Sequence, residues 1–195
     1  MPECSFGTAL NMAELMADTL SRLGEDLVRC GLCCAAAESC TGGLVGTALT
    51  HVPGSSRWFK GGVIAYDNAV KIALLGVPGT MIEQYGAVSH PVVRQMALGA
   101  CAAIGAPLAV ALSGVAGPDG GSEDKPVGTV YLGLALHGVA QSWRYSFAGD
   151  RRAVRYEATR AAIARLREAV LDYELEGGAL RFPGDTAIGT MRVER

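Results

Sequence analysis

The chain has 195 residues, of which 50% are hydrophobic and 18% charged, a composition that excludes intrinsic disorder and fits one compact domain. Seventeen Lys and Arg against 19 Asp and Glu give a formal net charge of −2, so no overall basic field exists to recruit nucleic acid by counterion release. Glycine is in surplus: 26 of 195 residues, about 13% against an ordinary share of roughly 7%, with no three-residue period, which excludes collagen.

The first element in chain order is an amphipathic helix over Leu10 to Arg29, with Met12, Leu15, Met16, Leu20, Leu23 and Leu27 at helical spacing. Gly31 ends it, and the small apolar run from Cys33 to Ala37 predicts a buried strand. That strand empties into Glu38-Ser39-Cys40-Thr41-Gly42-Gly43, after which Leu44 to Leu49 resumes helical spacing. Pro53-Gly54-Ser55-Ser56 breaks this helix, and Gly61 to Tyr66 reads as a second strand. Asp67 or Asn68 can cap a helix through Leu75. A further helix covers Gly79 to Tyr85, and a longer one follows Pro91.

Pro107 to Leu112 is a third, wholly apolar strand, followed by the glycine-rich loop that starts at Ser113. Gly128 to Leu136 and Val139 to Phe147 predict two strands joined at His137-Gly138, a two-residue hairpin signal. Asp150 caps a long helix to about Tyr173, whose inward stripe is expected to be Tyr156, Thr159, Ile163, Leu166 and Val170. These elements predict a single α/β domain over residues 1–173, a three-layer α/β/α sandwich with a mixed, mostly parallel sheet and one antiparallel strand. Residues 174–195 are expected to form a loosely ordered tail.

No apolar run approaches the roughly 20 residues of a membrane span, and the first residues lack the pattern of a signal peptide. A cytoplasmic protein without membrane or nucleic-acid partners is expected. In that compartment Cys4, Cys30, Cys33, Cys34, Cys40 and Cys101 read as free thiols rather than a disulfide framework. Cys30-x-x-Cys33 has no second pair, and His51, His90 and His137 are scattered, so no metal site is expected.

In open α/β sheets ligands bind at the carboxyl ends of strands, which directs attention to three junctions. Ser39-x-Thr41-Gly42-Gly43 stands where a strand meets a helix N-terminus, and its backbone N–H groups suit a phosphate cradle, an oxyanion hole or a nucleophile mount, or simply a capped helix start. Tyr66-x-Asn68-x-x-Lys71 brings a phenol, an amide and an amine to a second junction. The chain has only three lysines, Lys60, Lys71 and Lys125, beside 14 arginines. A lysine kept where arginine is habitual suggests a use for its ability to lose a proton. Serine with neutral lysine is a known nucleophile and base pair, and Tyr66 would orient the lysine or relay a proton.

At the third junction, Ser113-Gly114-Val115-Ala116-Gly117-Pro118 offers successive N–H groups that suit a phosphate or an acyl oxygen. Arg151 and Arg152 open the last helix, where cations oppose the helix dipole, so either an anionic partner or a solvated cluster accounts for them.

These stretches resemble the CinA C-terminal domain family. The resemblance is carried by SCTGGLVGTALT, PGSS, FKGGVIAYDNAVKIALLGV, GAVS, SGVAGPDGG, KPVGTV and FAGDR, which run in family order from about Glu38 to Arg151. It implies a three-layer α/β/α fold, oligomers that are commonly dimers, and hydrolysis of the carboxamide of nicotinamide mononucleotide without a cofactor. It further implies Ser39 as nucleophile, Lys71 as its base and Tyr66 in support. Thr41, Gly42, Gly43, Asn68, Ser113, Gly114, Ala116, Gly117 and Pro118 would hold substrate, and Arg151 or Arg152 would meet its phosphate. The rival reading is a non-catalytic nucleotide-binding protein in which the same loops only cradle phosphate.

Overall fold

Cys34–Glu38 (β1) is buried at all five positions, which places it inside a sheet rather than at an edge. The structure is a computed structural model that describes residues 16–175, 177 and 191–192. After Ala17–Arg29 (α1) and β1 come Leu44–His51 (α2), a 3₁₀ turn at Ser55–Arg57, Phe59–Ile64 (β2), Asn68–Leu75 (α3), Gly79–Tyr85 (α4) and His90–Ile104 (α5). Leu108–Gly114 (β3), Thr129–Leu136 (β4), Val139–Ser146 (β5), Arg151–Leu175 (α6) and the short Met191–Arg192 (β6) follow. Residues 10–15 of the expected first helix and Cys4 lie outside the described residues. The same holds for the expected tail, apart from the end of α6, residue 177, and Met191 and Arg192, whose backbone pairs with Val139 and Ala140.

The strand order is β2-β1-β3-β4-β5-β6. β1 lies parallel to β2 and β3, whereas β3–β4, β4–β5 and β5–β6 are antiparallel. The sheet is mixed, as expected, but parallel pairing is confined to the half that contains β1. Parallel neighbours need a crossover, usually a helix, and no helix intervenes between β3 and β5, so the chain folds back twice there. His137 (φ 48°) and Gly138 (φ 84°) make the second reversal, the positive φ pair that a tight hairpin requires.

Alternation along β3 divides the core. Leu108, Val110 and Leu112 pack with α1, α2 and α6, while Ala109 and Ala111 pack with α5 and the end of α3. The second face is alanine-rich, which lets helices approach closely. A β-carbon on Gly133 of β4 would run into the backbone of Val93, and one on Gly99 would run into the backbone of Leu75. Part of the glycine surplus is therefore helix packing. On α6 the buried residues are Val154, Ala158, Thr159, Ala162, Ile163, Leu166 and Val170. Tyr156, expected on this stripe, is half-buried at its margin, and the small Ala158 and Ala162 face the core. Among the described residues no helix is long and apolar enough to cross a membrane, and the five described cysteines are free thiols.

Candidate active site

The carboxyl ends of β1, β2 and β3 meet at one corner. Ser39 N–H donates to the Leu112 carbonyl at 3.1 Å, and the Glu38 carbonyl accepts from Ala65 N–H at 2.7 Å, so the residues leaving β1 are tied to both neighbouring strands. Beside them lies a cavity of about 200 Å³. It is lined by Ser39, Tyr66, Asn68, Lys71, Ser113, Gly114, Ala116 and Arg151 of the expected set, with Cys40, Ala87 and Val88 completing the wall. The volume lies below the 300–1,000 Å³ usual for whole ligands; it suits one end of a ligand, with the remainder at the rim.

Lys71 reaches the cavity from α3. That helix is capped by Asp67, whose carboxylate accepts from Ala69 N–H at 2.7 Å. Lys71 is only 2% exposed. Burial lowers the pKa of its amine, against the opposing pull of Asp67, which favours the neutral form a general base requires. Its Nζ donates to the Tyr66 carbonyl at 3.1 Å. Tyr66 therefore orients Lys71 through its backbone. Tyr66 is 61% exposed, and its phenol accepts from Arg151 Nη2 at 3.1 Å, so the side chain contacts an arginine.

Two potential nucleophiles sit side by side. The Cys40 thiol is pushed up to about 12 by burial, which leaves it almost wholly protonated at neutral pH. Ser39, 8% exposed, shares the cavity with Lys71.

The turn after β1, open in the sequence to use as a phosphate cradle, oxyanion hole, nucleophile mount or capped helix start, has an internal carboxylate at its amides. Gly42 (φ 59°) and Gly43 (φ 99°) adopt the left-handed conformation that favours glycine. The N–H groups this presents are occupied: Glu38 Oε2 accepts from Gly43 N–H at 2.9 Å and Val45 N–H at 3.1 Å, and Glu38 Oε1 accepts from Gly46 N–H at 2.8 Å. Leu44 N–H donates to the Thr41 carbonyl at 3.4 Å. The same carbonyl accepts from Arg155 Nη2 at 2.7 Å. Thr41, Gly42 and Gly43 do not line the cavity. Glu38 and Arg155 are the residues that sequence reasoning missed. An acid closing a buried strand just before a glycine-led helix was a usable signal for Glu38, whereas Arg155 is 114 positions from its partner.

The last two residues of β3, expected to begin the loop, are still strand and open onto the cavity. Ser113, 1% exposed, and Gly114 line it. Gly117 and Pro118 lie outside the lining, but the Gly117 carbonyl accepts from Arg151 Nη1 at 2.8 Å. Arg151 thus bridges this loop and Tyr66 at the cavity rim. Arg152 instead packs its guanidinium over the Tyr156 ring at 5.5 Å and does not line the cavity. A hydroxyl residue and a buried amine that line one cavity, with a guanidinium also in its lining, are the groups that acyl transfer on a ligand with an anionic far end calls for.

Residues 16–170 match the CinA C-terminal domain family. The chain is 53% identical over 143 residues to the nicotinamide-nucleotide amidohydrolase PncC of Pseudomonas putida, covering 73% of this chain and 89% of that relative. It is 51% identical over 138 residues to the PncC protein of Enterobacter agglomerans, covering 70% and 82%. Among solved structures, the competence damage-inducible protein A from Klebsiella pneumoniae superposes with a TM-score of 0.77 at 33% identity, covering 80% of this chain and 97% of that one.

Proposed function

The chain belongs to the CinA C-terminal domain family, and from that membership we propose that it is a nicotinamide-nucleotide amidohydrolase, releasing ammonia from the carboxamide of nicotinamide mononucleotide and leaving nicotinate mononucleotide. The names of its relatives support this activity. The observation that carries the mechanism is the buried Lys71 amine, its pKa lowered by desolvation, opening onto the cavity that Ser39 also lines.

In this reading Ser39 Oγ attacks the carboxamide carbon while Lys71 takes its proton. The tetrahedral oxyanion forms toward Ser113 and Gly114, since the Gly43, Val45 and Gly46 N–H groups are held by Glu38 and that of Gly42 by the Ser39 carbonyl. Lys71 then gives its proton to the departing nitrogen, the C–N bond breaks and ammonia leaves. Water, deprotonated by Lys71, hydrolyses the acyl-enzyme and restores the serine. Asn68 and Ala116 shape the cavity around the ring, and Arg151 meets the phosphate at the rim. Thr41, Gly42, Gly43, Gly117 and Pro118 set the loop shapes. The reaction consumes only water. We place it in the cytoplasm, in a homo-oligomer, with a dimer as the first expectation.

The test is an ammonia-release assay on nicotinamide mononucleotide, nicotinamide riboside and nicotinamide. Turnover is expected to be best with the mononucleotide. Tight mononucleotide binding with no ammonia after long incubation would overturn the enzyme reading in favour of a non-catalytic nucleotide-binding protein.

A further inference from the structure

The hydrolysis above assigns no step to Glu38, although this carboxylate is 3% exposed and is the residue that precedes the nucleophile. Its acceptors fill one end of α2: Gly43, Val45 and Gly46 direct their N–H groups onto its two oxygens at 2.8 to 3.1 Å. With Leu44 bonded to the Thr41 carbonyl, the four donors that a helix leaves unsatisfied at its start are all taken. A phosphate or carboxylate ligand would ordinarily occupy such a position; here the chain supplies its own anion.

We propose that Glu38 is the positioning residue for Ser39, acting as an internal anion that clamps the β1–α2 turn. This rests on the reading of Ser39 as nucleophile. Glu38 belongs to the strand, and the amides it holds belong to the helix, so its side chain spans the turn in which Ser39 sits. The Ser39 backbone is fixed from the sheet side by its bond to Leu112, and the turn is held from the far side by Arg155 on the Thr41 carbonyl. Removing one carboxylate oxygen leaves buried N–H groups without an acceptor, and the turn must move to satisfy them. A small displacement of a nucleophile costs rate more than binding. The same negative charge repels a phosphate from the α2 end of the site, so the substrate enters with its carboxamide toward Ser39 and its phosphate toward Arg151.

Glu38→Gln tests this, because glutamine matches the volume but offers one acceptor oxygen in place of two. In the 195-residue chain kcat on nicotinamide mononucleotide is expected to fall at least tenfold with KM changed less than threefold, and by the same factor on nicotinamide riboside, since the defect lies at the nucleophile and not at the phosphate. Amide hydrogen exchange of Gly43, Val45 or Gly46 is expected to speed up at least tenfold while exchange in β4 and α5 stays unchanged. A kcat within twofold of wild type, or unaltered exchange at all three amides, overturns the proposal. If Glu38→Gln does not fold, the same measurements on Glu38→Asp, which keeps the charge but shortens the reach, decide it by the same criteria. Should the wild-type protein release no ammonia, the hydrolase reading falls, and the exchange measurement still decides whether Glu38 clamps the turn.

Discussion

Two glycine-bearing turns leave the sheet from neighbouring parallel strands, one after β1 and one after β3, and on paper they are near equivalents. Each has a hydroxyl residue at the strand end, adjacent small residues, and backbone N–H groups suited to an anion. They differ in what occupies those groups. After β1, Glu38 takes the amides of Gly43, Val45 and Gly46, and only Ser39 and Cys40 of that turn face the cavity. At the end of β3, Ser113, Gly114 and, just beyond, Ala116 line the cavity directly, and Arg151 holds the loop by the Gly117 carbonyl. A glycine turn whose amides already hold an internal carboxylate is thus not free to cradle a second anion with them. In the proposed reaction the first turn mounts the nucleophile and the second receives the substrate.

The largest expected effects divide the two turns. Ser39→Ala and Lys71→Ala should each reduce ammonia release from nicotinamide mononucleotide by about 10³-fold or more, the scale at which nucleophile and base act as one unit. Ser113→Ala should cost about 10- to 100-fold in kcat/KM, as expected for one lost hydrogen-bonding group near the reacting carbonyl. Steady-state kinetics on the three purified variants checks this. A Ser113→Ala loss as deep as that of Ser39→Ala, with Ser39→Ala retaining turnover, would move the chemistry into the β3 loop and invert the comparison.

The asymmetry between these turns was invisible where it depends on long-range contacts. The sequence placed Ser39, Tyr66, Asn68, Lys71 and Ser113 at strand ends, and local patterns sufficed because strand, turn and helix boundaries are written in neighbouring residues. Hairpin geometry at His137-Gly138 and the Asp150 cap were readable for the same reason: Asp150 accepts from Ala153 N–H three positions away. The occupancy of the α2 amides is local, five to eight positions from Glu38, and had a usable signal in the acid that closes β1, but periodicity alone does not say where a buried carboxylate points. Nor could it be seen that Arg151 lines the cavity while Arg152 turns onto Tyr156. Adjacent helix residues differ in direction by about 100°, and the sequence does not state how the helix is rotated against the sheet. The parallel share of the sheet was overestimated because only one strand, at the hairpin, was read as antiparallel, whereas β4 also runs antiparallel to β3, the connection between them holding no crossover helix.

The arginine pair offers the next largest effect and a way to sharpen the second half of the comparison. Arg151→Ala should raise KM for nicotinamide mononucleotide by about 10- to 50-fold, the range for a hydrogen bond to a charged group, with a much smaller change for nicotinamide riboside, which has no phosphate. Arg152→Ala should leave both within about twofold, as for a surface cation–π contact. Equal effects on the two substrates would show that Arg151 serves only to hold Gly117 and Tyr66 in place, and the receiving turn would then lack its anion partner.

The smallest expected effect concerns stability, and it follows from the lowered pKa of Lys71. In the folded chain this amine gives up its proton at lower pH than the ordinary lysine value of about 10.4. Between the two values the unfolded chain binds more protons than the folded one, so unfolding free energy rises with pH across that window and is level on either side. Below the folded pKa the protein carries the whole cost of burying a charged amine. Lys71→Met, which fills similar space without a charge, should therefore unfold at a higher temperature than wild type at neutral pH, the gap narrowing as pH climbs through the window. Thermal unfolding of both proteins across that range checks the sign. An unfolding temperature for Lys71→Met that is lower at neutral pH would mean that the bond from Nζ to the Tyr66 carbonyl outweighs the desolvation. Lys71 would then be a structural tie at the second junction, and its claim to be the base for the nucleophile-bearing turn would lose its physical ground.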